Sequence, residues 1–139
     1  MADVFSKEKR SAIMSAIRSK KNKETELKFI EILRENQIKG WRRNVRLKGN
    51  PDFVFPLGKF IVFVDGCFWH GCPHHYRLPK SNKVYWQAKI DKNKRRDRRI
   101  TRHLRKEGWI VIRIWQHELS DKTKLATRIR TAKLKNRIQ

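Results

Sequence analysis

Two dense apolar runs, Phe53-Val54-Phe55 and Phe60-Ile61-Val62-Phe63-Val64, stand on either side of Pro56-Leu57-Gly58-Lys59. Short runs rich in β-branched and aromatic residues, split by a Pro/Gly turn, read as a buried β-hairpin. A buried hairpin needs other elements to cover it, and the sequence supplies them. Ser6 can cap a first helix over about Lys7 to Arg18, with Ile13, Met14 and Ile17 as its apolar residues, and the polar run Ser19 to Lys23 ends it. A second helix is expected from about Glu24 to Asn36, with Leu27, Ile30 and Leu33 as its core face. A long basic helix should run from about Asn82 to Lys106 and stop at Gly108. Trp109 to Trp115 then alternates as a third strand, with Ile110, Ile112 and Ile114 on one face, and Ser120 or Asp121 caps a final basic helix. The order α-α-β-β-α-β-α implies an α/β fold, a mixed sheet flanked by helices, in one domain over residues 1–139 with no repeat or long linker.

Charge narrows the partner. Thirty-six Lys and Arg against 13 Asp and Glu leave a net charge of +23, while a hydrophobic fraction of 38% is enough for a core. A field of that size points to a polyanion, bound in a salt-dependent way because condensed counterions are released. An acidic membrane surface is the weaker alternative, since no long apolar run or lipidation signal is present. Met1 to Arg10 is polar and unlike a secretion signal, so a cytoplasmic location is expected, where a Cys67–Cys72 disulfide is not.

Carboxylates are scarce, so their positions carry information. Asp52 follows Pro51 at the start of the first apolar run. If Leu57-Gly58 forms the turn, Asp52 lies across from Phe63, and Asp65 shares Phe63's face, diagonally from Asp52. Two acids at a strand edge of so basic a protein suggest a divalent cation beside a phosphodiester. Pro51-Asp52 alone reads first as a turn cap, because that chemistry is common.

The surroundings change that reading. Gly49-Asn50-Pro51-Asp52-Phe53-Val54-Phe55, followed by Val62-Phe63-Val64-Asp65-Gly66-Cys67-Phe68-Trp69-His70-Gly71-Cys72-Pro73, closely resembles the very short patch repair (Vsr) endonucleases. The likeness extends to Arg10-Ser11, Met14-Ser15-Ala16-Ile17, Glu26, Tyr85-Trp86, Arg96-Asp97-Arg98-Arg99, Gly108-Trp109 and Trp115-Gln116-His117-Glu118-Leu119. It implies a restriction-endonuclease-like core and a magnesium-dependent endodeoxyribonuclease. Such an enzyme nicks duplex DNA 5′ to the thymine of a T·G mismatch and so starts repair of deaminated 5-methylcytosine. By that resemblance Asp52 is the magnesium-binding aspartate, Val64 supplies a main-chain carbonyl to the magnesium, and His70 handles the proton of the attacking water. Glu26 supports the histidine and the metal-bound waters. Asp65 departs from members that carry histidine there, and it is expected to aid the metal or orient a water. One carboxylate plus a carbonyl suits a hard ion that keeps its waters, and a histidine exchanges protons near neutral pH. Without the resemblance, His70 reads as structural or zinc-bound.

Cys67-x4-Cys72 with His74 and His75 crowds thiols and imidazoles as a tetrahedral zinc site would, and needs a fourth ligand from elsewhere. His117 is the candidate and matches a ligand position of the family. His74 and His75 compete for the remaining place; His75 is preferred because Cys72-x2-His75 leaves room for a knuckle. Four protein ligands make the zinc structural, and two unliganded buried thiols are the bland alternative. Phe68, Trp69 and Trp86 match the aromatics that the family inserts into the DNA stack, whereas Trp109 and Trp115 read as core. On the long helix Trp86, Ile90, Asn93, Asp97, Ile100 and Leu104 share a stripe in which Asn93 and Asp97 need partners. Asn93 is placed with the DNA-facing residues, and Lys94 and Arg95 belong to a basic face suited to phosphates. Met14 and Ile17, within an N-terminal clamp over residues 1–20, match residues that approach DNA, although helix packing reads almost as well. A monomer acting on mismatched double-stranded DNA is expected, with other mismatch-repair proteins as open further partners. The alternatives are a related zinc-containing nicking or restriction enzyme of other specificity, and a non-catalytic zinc-containing DNA-binding module.

Overall fold

A computed structural model describes residues 23–67, 69–73, 78 and 80–137 of the chain, with side chains described as far as residue 134. The expected first helix and N-terminal clamp, Met14 and Ile17 included, lie outside the described residues.

The hairpin forms where the apolar runs stand. Strand β1 (Phe53–Phe55) pairs antiparallel with β2 (Phe60–Asp65), Phe55 opposite Phe60 and Phe53 opposite Val62. Extending that register by one residue sets Asp52 against Phe63, as the turn chemistry predicts. Strand β3 (Ile110–Trp115) joins β2 in parallel, so the sheet is mixed, in the order β1-β2-β3. An isolated bridge between Arg42 and Val54 extends the β1 edge, a pairing that no apolar run announced.

Alternation along the strands separates two cores. Phe53, Phe55, Phe60, Val62, Ile112 and Ile114 pack on one face against helix α1 (residues 23–35) and helix α3 (Lys122–Arg137). Val54, Ile61, Phe63 and Val111 face helix α2 (Lys83–Lys106) through Leu104 and Ile100. The result is three layers, with α1 and α3 on one side of the sheet and α2 on the other.

Helix α1 corrects one expectation. Leu27 is 51% exposed, whereas Phe29, Ile32 and Leu33 are buried, together with Ile30. The buried stripe is turned from the assumed one because Phe29 contacts Phe53 edge-on, at 4.8 Å between ring centres. Helix α2 ends as its glycine dictates. Gly108 sits at φ +95°, and the amides of Gly108 and Trp109 donate to the carbonyls of Arg105 and Leu104, closing a Schellman motif. Asp121 caps α3 by accepting from the Lys124 amide, and a 3₁₀ turn that the sequence did not announce (Gln116–Ser120) fills the space after β3. Trp109 is a partly buried member of the α2-side core, whereas Trp115 is only half-buried. Among the described residues no helix is long and apolar enough to cross a membrane.

Candidate functional site

Strands β2 and β3 are parallel and end level, Asp65 pairing with Trp115. The segments that leave them therefore run side by side, and chemistry-bearing residues two to seven positions beyond each strand meet. The first such cluster is Cys67, Cys72 and His117, whose ligand atoms all lie within 4.8 Å of one another. His117 Nδ1 is 3.4 Å from Cys67 Sγ and 3.5 Å from Cys72 Sγ. Zn–S and Zn–N bonds at tetrahedral angles would place sulfur and nitrogen about 3.6 Å apart, so the donor set and its spacing suit a zinc ion. Burial pushes the Cys67 thiol up and Cys72 adds to that push, while the amides of His117 and Gln116 point at the sulfur and oppose it. Donors already aimed at sulfur favour a thiolate ligand. His75, and the competing His74, lie outside the described residues.

The second cluster is acidic and gathers where the chain enters β1. Asp52 accepts a 2.7 Å hydrogen bond from the Val64 amide, which ties the end of the first run to β2. Its carboxyl is pushed up to about 7, first by burial and then by Glu26 and Asp65, with the Val64 amide pulling the other way. Glu26 is ion-paired with Arg43 and lies within hydrogen-bonding reach of Asp52. Acids desolvated against one another fit a divalent cation, with Asp52 and its neighbourhood as the oxygen donors.

His70 stands in the loop after β2, its amide bonded to the Gly66 carbonyl. Its Nδ1 lies 2.5 Å from Asp97 Oδ2 and 3.8 Å from Asp65 Oδ1. The histidine's observed carboxylate partners are thus Asp97 and Asp65. Glu26, expected to support it, is placed at Asp52. Asp65 is itself held by Arg113, whose Nη1 is 3.0 Å from both carboxylate oxygens. The sequence left Asp97 open between an internal hydrogen bond and the site itself, and assigned Arg113 no role. Asp97 was legible as a misplaced polar group on an apolar stripe, and Arg113 as the one charge in the strand Ile-Val-Ile-Arg-Ile-Trp.

Asn93, buried on α2, donates to the Trp69 carbonyl at 2.9 Å and anchors the His70 loop to the helix. Trp69 is only 7% exposed, with its ring edge-on to Trp86 at 5.9 Å and Lys89 above it. The free protein therefore packs Trp69 rather than projecting it, and Phe68 lies outside the described residues. Lys94 is half-buried with its stem against Gly71, while Arg95 is exposed.

A family model described as DNA mismatch endonuclease Vsr matches residues 2–77. The type II nicking enzyme V.XorIIP of Xanthomonas oryzae pv. oryzae is 41% identical over 133 residues, which cover 94% of this chain and 96% of that enzyme. The DNA mismatch endonuclease Vsr of Escherichia coli K12 is 34% identical over 137 residues, 96% of this chain and 86% of the relative. The type II nicking enzyme V.NaeI of Lentzea aerocolonigenes is 49% identical over 72 residues. That match covers 52% of this chain and 43% of the relative, so the chain spans less than half of that enzyme.

Proposed function

The chain belongs to the DNA mismatch endonuclease Vsr family, and from that premise we propose that it nicks duplex DNA 5′ to the thymine of a T·G mismatch. The observation that carries the reading is the pairing of His70 with Asp97 at the end of β2, beside the desolvated carboxyl of Asp52. Engagement of Nδ1 by Asp97 orients the ring and leaves Nε2 to exchange the proton of the attacking water. Asp52 and the main-chain carbonyl of Val64 are the groups that would hold magnesium. When bound, that ion supplies positive charge for the oxygens of the reacting phosphate. Asp65, engaged by Arg113, acts on the histidine's side of the site. Cys67, Cys72, His117 and His75 would hold a structural zinc that ties the ends of β2 and β3 together. Arg95 and the other exposed cations of α2 would contact backbone phosphates, and Phe68, Trp69 and Trp86 would open the base step.

The relatives named as type II nicking enzymes favour a second reading, a nicking enzyme of different sequence or structure specificity. One experiment addresses both: magnesium-dependent cutting of a panel of matched, T·G and other mismatched duplexes with varied flanks, followed by sequencing of the new ends. A single nick 5′ to the mismatched thymine is expected. Equal cutting of the matched duplexes would overturn mismatch recognition, and nicking confined to another mismatch would overturn the T·G assignment alone.

A further inference from the structure

Arg113 is the one charged residue in β3, flanked by Ile112 and Ile114 on the opposite face. A guanidinium halfway along a core strand is costly to desolvate unless its donors are matched. Here each nitrogen is matched. Nε donates to Thr101 Oγ1 at 2.8 Å, Nη1 to both oxygens of Asp65 at 3.0 Å, and Nη2 to the main-chain carbonyl of Asp97 at 3.3 Å. Cζ lies 4.2 Å from the centre of the Phe63 ring, the residue opposite it in the β2–β3 register. The side chain thereby joins all three elements around the histidine: β2, β3 and α2.

Two carboxylates flank a single imidazole nitrogen, and they are not equivalent. Asp97 stands at 2.5 Å from His70 Nδ1 and Asp65 at 3.8 Å. One N–H can make one good hydrogen bond, so an unrestrained Asp65 would compete for the ring. Arg113 Nη1 takes both Asp65 oxygens at 3.0 Å but stands 3.9 Å from Oδ1 of Asp97, which leaves Oδ2 to the histidine. Through the Asp97 carbonyl, Nη2 fixes the turn of α2 that presents that carboxylate. We propose that Arg113 is a positioning residue: by clamping Asp65 it leaves Asp97 alone to orient His70. This rests on the reading of His70 as the proton-handling group.

Arg113→Met keeps the stem but removes the fork. It should lower the single-turnover nicking rate by about 10- to 100-fold, the range expected of a small misplacement, with duplex affinity unchanged. Arg113→Lys, a point charge without the planar fork, should recover part of the rate. Asp65→Asn combined with Arg113→Met should also recover part, because a neutral amide competes for Nδ1–H less well than a carboxylate. A wild-type rate in Arg113→Met, a rate loss matched by an equal loss of affinity, or a double variant no faster than Arg113→Met would each overturn the clamp. Should Arg113→Met not fold, Arg113→Lys against Arg113→Lys combined with Asp65→Asn carries the same comparison. Imidazole-nitrogen NMR separates this proposal from the proposed function. The carboxylate-bonded Nδ1–H signal of His70 should shift or vanish when the fork is removed. An unchanged signal overturns the clamp whether or not the wild type nicks DNA. A wild type that nicks no duplex overturns the proposed function, and the NMR comparison then decides the clamp by itself.

Discussion

At Asp52, burial, Glu26 and Asp65 all push the carboxyl toward its neutral form, and the Val64 amide pulls the other way. A folded-state value of about 7 against an ordinary 3.8 means that folding favours the proton. The stability this group contributes is therefore fully present below about pH 4 and is lost as pH rises through 7. With one proton involved, the loss cannot exceed about 1.4 kcal/mol per pH unit. Asp52→Asn has no charge to desolvate and keeps an acceptor for the Val64 amide. Without added divalent cation, it should match the wild type near pH 4 and melt at a higher temperature at pH 8. Millimolar magnesium should narrow that gap, because only the wild type gains a ligand. Melting curves from pH 4 to 8 check this, and a gap that does not widen with pH would sink the electrostatic account. The same variant should lose nicking while still binding duplex DNA. Trp69 poses a different question, because it is packed against Trp86 in the free protein. If it leaves that pocket to stack on a base, Trp69→Ala should cost about 1–3 kcal/mol of preference for the mismatched duplex. Equal weakening of matched and mismatched binding would make it a packing residue instead.

Helix α2 works at the level of the element. Its stripe runs from Trp86 through Ile90, Asn93, Asp97 and Ile100 to Leu104, and the two polar members are the two that reach the loop after β2. Asn93 holds the backbone of that loop, and Asp97 holds its histidine. Asn93→Ala would leave the Trp69 carbonyl without its donor in a buried setting, at a cost of about 1–3 kcal/mol. Because the lost bond is the anchor of the His70 loop, nicking should fall by more than the unfolded fraction accounts for. Denaturant unfolding alongside single-turnover rates would test this. Activity that merely tracks the folded population would reduce Asn93 to a stabilising residue.

Over the whole molecule, a net charge of +23 predicts strong, salt-sensitive attraction to DNA. Arg98, Arg102 and Arg105 line a groove of about 400 Å³ between α2 and β3, where the guanidinium of Arg113 is already engaged by Asp65 and the Asp97 carbonyl. Arg98 and Arg102 are exposed and one helical turn apart, a spacing at which like charges repel unless a phosphate lies between them. Arg98→Ala with Arg102→Ala should weaken matched and mismatched duplexes alike and lower the salt slope by about 2. Titrations at several salt concentrations measure both, and an unchanged slope would move the DNA path elsewhere. The Cys67, Cys72 and His117 cluster bridges the ends of two parallel strands, so a metal bound there would be coupled to folding. One zinc per chain is expected, with His117→Ala losing it and melting lower. A folded, active preparation without zinc would rule the site out.

Local pattern was enough to read the hairpin, its register, the helix stop at Gly108 and the division of β3 into two faces. Each depends on residues within a few positions of one another, where turn chemistry and the periods of strand and helix act directly. The motif from Asp52 to Cys72 was legible for the same reason, since most of the candidate chemistry is contiguous. Which stripe of α1 is buried, why Glu26 stands at Asp52, and how Asp97 and Arg113 share His70 and Asp65 were decided only by the tertiary structure. The last two of those contacts join residues 27 and 48 positions apart. They depend on where α1 and α2 cross the sheet, and that is set by the packing of Phe29 on Phe53 and of Leu104 and Ile100 against the opposite face. Periodicity assigns a side chain to a face, but only the docking of that face chooses its partner.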